Sequence, residues 1–310
     1  MSEVKAMSAA ADADANVDAA RVDARENGAR AHAPGVMRRL ISNPLGAIGL
    51  TVLALMTLVA IFAPALAPYP SGYGNLDEMS LPPSRLHPFG TDDMGLDILA
   101  QVIWGTRVSM LVGVAATMLS LAIGVPVGLF AGFYRGRVDA FATSVIDIFL
   151  SLPVLPLMIL LGAVLGPSLT NIILVIGFFS WPSTARVVRA QALSVAEQQF
   201  TEAARAMGAT DARILLKHLL PNVFPPIMVN MVLTVATAVI SEAGLSFLGL
   251  GDPTQWSWGR ILENAHRSGA FVTAWWHTLF PSLAIMLLVM SANFLGMAIN
   301  EILNPRLKRR

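Results

Sequence analysis

The chain has 310 residues, 55% hydrophobic and only 13% charged, with a formal net charge of +1. Soluble domains carry roughly a quarter charged residues, so this apolar excess needs a solvent other than water. With no cysteine, five scattered histidines and no basic, aromatic-interleaved patch, the composition excludes a disulfide framework, thiolate chemistry, a histidine metal motif and nucleic acid as a partner.

Residues 1–36 are rich in Ala, Asp and Arg and contain no apolar run. They read as a disordered cytoplasmic tail and not as a signal peptide. A bilayer core about 30 Å thick needs about 20 apolar residues in a helix. Six segments meet that standard: 45–67, 108–132, 142–165, 169–190, 224–247 and 279–302. The first span and the outer segment after it make one region, 37–107, and the five further spans a second, 108–305, before a basic end at 306–310. Arginine and lysine concentrate on one side, at Arg38, Arg39, Arg135, Arg137, Arg186, Arg189, Arg205, Arg213, Lys217 and the C-terminus. The positive-inside rule then places both termini in the cytoplasm of an inner-membrane protein surrounded by lipid. It leaves outer loops at 68–107 and 250–278, which hold His266 and His277, and a large inner loop at 191–222.

Within the first outer loop, Ile98, Val102 and Ile103 recur on adjoining turns, which predicts a short interfacial helix over 97–106. In the second span, Gly124, Gly128 and Gly132 form two overlapping GxxxG motifs, the pattern of close helix packing in lipid. Asp147 and Glu242 are ionisable residues inside apolar runs, and such residues are candidates for a solute path by default. Asn230 and Asn293 are weaker polar-lining candidates.

The inner loop predicts two short helices. Ser194 with Glu197 three residues later reads as a capping box, and Gly208 as a left-handed helix end. Thr210 or Asp211 caps the second helix, which Pro221 is expected to stop. No lysine follows a glycine in the chain, so there is no phosphate-binding loop, no catalytic residue is assigned, and no metal site is expected.

The run Glu202-Ala203-Ala204, then Gly208, then Leu220-Pro221 resembles the EAA loop of ABC importer permeases. Phe89-Gly90-Thr91-Asp92-Asp93, Ser180-Trp181-Pro182 and Ser246-Phe247-Leu248-Gly249 are similar to the second permease of oligopeptide, dipeptide and nickel importers, and the likeness runs from about Leu40 to Leu307. It implies an all-α polytopic membrane protein with the type I ABC importer permease fold. In that family the EAA loop docks on an ATPase, so Glu202, Ala203, Ala204, Gly208, Leu220 and Pro221 become the coupling positions. The implied partners are a homologous second permease, two ABC ATPase subunits that bind the ATP and Mg, and a periplasmic solute-binding protein. The implied cargo is a dipeptide or oligopeptide, with glutathione or a nickel chelate as alternatives. Three positions are distinctive: His218, which fits the peptide branch, and Leu96 and Asn304, where Arg and Asp are expected. A secondary transporter driven by an ion gradient through Asp147 and Glu242 is the rival from another class.

Overall fold

The computed structural model describes residues 36–303. The predicted tail, Val36 apart, and the basic C-terminal end with Asn304 lie outside the described residues. A short helix, α1 (Val36–Ser42), belongs to a separate unit that ends at Ser42. The second unit begins at Asn43, whose side chain accepts from the amides of Leu45 and Gly46 and so caps α2 (Pro44–Leu66). Among the described residues the structure is helical, with two isolated β-bridges.

Five helical stretches are long and apolar enough to cross a membrane: α2, α3 (Ile98–Tyr134), α6 (Leu169–Ala196), the run from 211 to 247, and α12 (Trp275–Leu303). The expected third span is instead two helices, α4 (Gly136–Ser151) and α5 (Val154–Leu165), bent by 80° at Leu152-Pro153. Pro153 has no amide to donate and clashes with the preceding turn, so the straight span expected over 142–165 does not form. Counted as one span, the bent pair makes six.

Two further expectations fail for identifiable reasons. The segment 97–106 is not a separate helix lying on the bilayer: Asp97 caps α3 through Ala100 N at 2.7 Å, and the helix continues unbroken to Tyr134. Its apolar face is covered by the chain itself, with Ile98 packed beside Trp276. Pro221 does not stop a helix either. α8 (Asp211–Ile214) passes through a π-helical turn, Leu215–Leu219, into α9 (Leu220–Phe247). In that turn Leu220 N reaches Leu215 O, and Asn222 Nδ2 donates to the His218 carbonyl at 2.6 Å. The wide turn shifts the ladder by one residue, which lets the chain absorb a proline and remain helical.

α3 and α6 are the centre of the bundle. A methyl group placed on Gly124, Gly128 or Gly132 would lie 2.8 Å from Trp181 O, 2.6 Å from Ala185 O and 2.5 Å from Ala192 Cβ respectively. The three glycines therefore seat α3 directly on the backbone of α6, as small residues do where lipid supplies no hydrophobic drive. α9 packs on α3 at Gly113, and α2 packs on α12 where Gly49 faces Ser291 O. The remaining helices are α7 (Gln199–Ala206), α10 (Trp258–Arg267) and α11 (Ala270–Thr273).

Overpacking a close contact costs about 1–3 kcal/mol, and a backbone cannot repack as a side chain can. Gly128→Val should therefore lower the thermal midpoint in detergent by several degrees or prevent accumulation in the membrane. Gly244, whose added methyl would meet nothing within 4 Å, is the control. Gly244→Ala should be neutral or stabilising by up to about 1 kcal/mol. Equal midpoints for both variants would refute the close packing.

Candidate functional site

The inner loop is built on the ends of α3 and α6. Ser194 lies within α6 and Glu197 just beyond its end, so the expected capping box does not form. α7 starts without a side-chain cap at Gln198; instead Thr201 Oγ1 donates to Val195 O at 3.1 Å and ties its first turn to the end of α6. Gly208 does close α7. Its φ is +78°, its amide bonds Arg205 O at 2.9 Å, and the next amide, Ala209, bonds Ala204 O at 3.0 Å. Only a left-handed residue permits that pair of bonds, and glycine adopts it without a steric cost. Thr210 then caps α8 through Arg213 N.

This geometry divides the coupling residues by face. Ala204 is buried with Ile214, Leu215 and Leu219 against Leu129 and Phe133 of α3 and Val188 and Val195 of α6. Arg205 lies over the Phe133 ring at 5.0 Å. Glu202, Ala203 and Gly208 are exposed, and Met207 between them is 82% exposed. Glu202 lines a depression of about 290 Å³ with Arg135, Glu197, Arg205 and Asp211. Arg135 braces its floor through an ion pair to Glu197 at 3.1 Å. Leu220 and Pro221 lie beyond the π turn at the start of α9, apart from the exposed cluster.

The four polar-lining candidates separate. Glu242 is 1% exposed and is enclosed by the chain's own helices. Its carboxylate accepts from Ser246 Oγ at 2.7 Å and Ser109 Oγ at 3.1 Å, and Ser109 Oγ in turn accepts from Trp258 N. It is a joint between α9, α3 and the start of α10. Asp147 is the reverse case: it pairs with Arg186 of α6, and both side chains are 56% exposed. Asn230 is half-buried. It donates to Thr184 Oγ1 at 3.2 Å, and Thr184 shares a hydrogen bond with Ser120, so the three tie α9, α6 and α3. Its outer side faces a cavity of about 500 Å³ shared with Gln191 and Asn222. Asn293 is exposed and donates back to Val289 O on its own helix.

The outer segment carries a polar cluster that periodicity alone does not single out. Asp92 is buried, accepting from the amides of Met94 at 2.9 Å and Leu96 at 2.8 Å and from Gln101 Nε2 at 2.7 Å. Burial pushes its carboxyl above the usual range, and those hydrogen bonds only partly offset the shift. Asp97 takes His87 Nδ1 at 2.8 Å, and Glu78 lies 3.4 Å from the other ring nitrogen. Two acidic residues spaced five apart around a glycine were the available signal. Leu96 is buried against Gly74 as part of this fold. His277, expected in an outer loop, is fully buried in the first turn of α12.

If Glu242 is a joint, removing it harms the fold and not the selectivity. Glu242→Ala strands the hydroxyls of Ser109 and Ser246, at about 1–3 kcal/mol for unsatisfied buried groups. The expected outcome is a lower melting midpoint in detergent, with Glu242→Gln intermediate. A Glu242→Ala protein that melts normally but transports abnormally would point instead to a path residue.

The comparisons agree with this architecture. The family model described as "Binding-protein-dependent transport system inner membrane component" matches residues 124–309, and the N-terminal membrane domain of oligopeptide transport permease C matches 35–83. A dipeptide transport system permease protein of Bacillus subtilis is 37% identical over 273 residues, covering 88% of this chain and 85% of that one. An oligopeptide transport system permease protein of the same organism is 38% identical, over 88% of this chain and 89% of that one. A glutathione transport system permease protein of Escherichia coli is 38% identical over 82% of this chain and 84% of its own length. In fold, an inward-facing MetNI methionine ABC transporter chain aligns with a TM-score of 0.57 at 22% identity, covering 65% of this chain and 95% of that one. The chain thus belongs to the binding-protein-dependent transport system inner membrane components, as an ABC importer permease of the oligopeptide-permease-C kind.

Proposed function

We propose that this chain forms half of the membrane path of an ATP-driven importer of dipeptides or oligopeptides. The other half comes from a homologous second permease. Two ATPase subunits, which bind the ATP and Mg, dock on the α7 loop, and a solute-binding protein delivers cargo from the outside. Both termini then lie in the cytoplasm.

The observation that carries the coupling role is the exposure of Met207, Ala203 and Glu202 on a helix whose opposite side is anchored in the core. An exposed apolar tip on an anchored, glycine-closed helix is poorly explained by solvent alone. As a docking element it explains both halves: the tip enters a partner, and the anchored face transmits force. Peptide cargo is supported by the names of the relatives. The glutathione permease is as similar as the dipeptide one, so a tripeptide-like cargo belongs to the same reading.

Energy supplied by ATP must bias the transporter between two states. Moving such an equilibrium from 1:99 to 99:1 takes about 5.5 kcal/mol of differential binding. That force has to pass through the docking helix. Gly208→Pro cannot adopt φ of +78°, and Glu202→Lys reverses the charge at the exposed surface. Both variants should reach the membrane with the second permease but lose ATP-dependent peptide uptake by at least about tenfold. Normal uptake in both would remove the coupling assignment. Uptake by the chain alone, abolished by an uncoupler at constant ATP, would favour the ion-driven rival.

A further inference from the structure

The Asp147–Arg186 pair is exposed on two helices, α4 and α6, that both belong to candidate membrane spans. Arg186 follows Ala185, whose carbonyl is the one that Gly128 of α3 packs against. Gly128 is seven residues inside Arg135, so at 1.5 Å per residue the pair sits about 10 Å along the bundle from the Arg135 end. On α4 it belongs to an exposed stripe, Ala140, Ser144, Asp147 and Ser151, at helical spacing. On α6, Ser183, Arg186 and Ala190 continue that stripe. The hydroxyls of Ser144, Ser151 and Ser183 are satisfied by carbonyls of their own helices. Next to the stripe on α4, beyond the exposed Arg137 in its first turn, a second exposed face carries Val138, Phe141 and Ile148. One helix thus presents one face suited to lipid and another that lipid would reject.

We propose that the polar stripe faces the water-filled path and that Asp147 and Arg186 bind the charged ends of a zwitterionic peptide. This rests on the importer reading above. A guanidinium fits a carboxylate by two parallel hydrogen bonds, and a carboxylate accepts from an ammonium group. When the path is empty the two side chains neutralise each other. When a peptide arrives, one internal ion pair is exchanged for two intermolecular ones, with no change in net charge. The exchange leaves neither ion unpaired.

The absence of cysteine makes the test direct. Ser144→Cys, Ser183→Cys, Phe141→Cys and Ile148→Cys are made singly and studied in the assembled importer in proteoliposomes. The probes are a charged, water-soluble methanethiosulfonate and trialanine with free ends, N-acetylated or C-amidated. The expected result is labelling at 144 and 183, slowed by free trialanine, and none at 141 and 148. Arg186→Gln should lower uptake of free trialanine by about tenfold while changing uptake of the amide much less; a merely structural role would lower both equally. Labelling at 141 and 148 but not at 144 and 183 overturns the proposal. So does crosslinking of 144 or 183 to the second permease without labelling, which would make the stripe a subunit interface. Labelling without protection, together with equal loss of both peptides in Arg186→Gln, rejects the peptide site. Failure of the unmodified importer to take up any peptide is a separate result, which removes the importer reading itself.

Discussion

Backbone contact between α3 and α6 is the constraint on which the rest of the structure depends. In hydrocarbon, neither water nor a hydrophobic drive holds helices together, so proximity must come from packing and internal hydrogen bonds. Three glycines at four-residue spacing bring α3 onto the carbonyls of Trp181, Ala185 and Arg189. Once the two helices touch, Ser120 and Thr184 fall within 3.0 Å, and Asn230 of α9 joins them. Further along, the same closeness lets Arg135 span from the end of α3 to Leu193 and Glu197. The inner loop then rests on a platform that two helices make jointly, with Phe133 and Val195 side by side beneath Ala204.

Features decided by length or by one residue's stereochemistry were legible in the sequence. The apolar runs marked the spans, the GxxxG repeat marked the closest packing, and Gly208 marked a left-handed helix end. Features decided by what lies opposite were not. Asp147 and Glu242 look alike as single acids in apolar runs, yet one is exposed with an arginine and the other is sealed among serines. Periodicity gives the spacing of a charge along a helix but not the identity of its neighbour. Prolines were ambiguous for a related reason: Pro153 turns the chain by 80°, whereas Pro221 is carried through by a π turn. The difference lies in the ladder around each ring, where Asn222 supplies a side-chain donor after Pro221. Likewise Ser194 and Glu197 satisfy a capping pattern on paper, but Val188, Ala192 and Val195 are buried on one face and keep α6 helical past Ser194.

That π turn bears on how force passes from the loop into the membrane. Had Pro221 ended the second helix, α7 and α8 would hang on a flexible joint, and movement of the loop would be absorbed locally. Because α8, the π turn and α9 form one continuous stretch from 211 to 247, the loop is an extension of a membrane-spanning rod. Ile214, Leu215, Leu219 and Val223 press this rod onto α6 and α3 along one buried stripe. A helix resists bending far better than a loop, so on the importer reading a displacement at Asp211 would pass along the rod to Asn230 and to the joint at Glu242. Asn230 ties the rod to α6 at 3.2 Å and Glu242 ties it to Ser109 of α3 at 3.1 Å, through which it reaches Trp258 N of α10 at 3.4 Å. A single rod thus runs from the last part of the inner loop, at Asp211, to the start of the second outer loop, at Phe247. On the importer reading, that continuity is what couples nucleotide-driven movement inside to opening of the path outside.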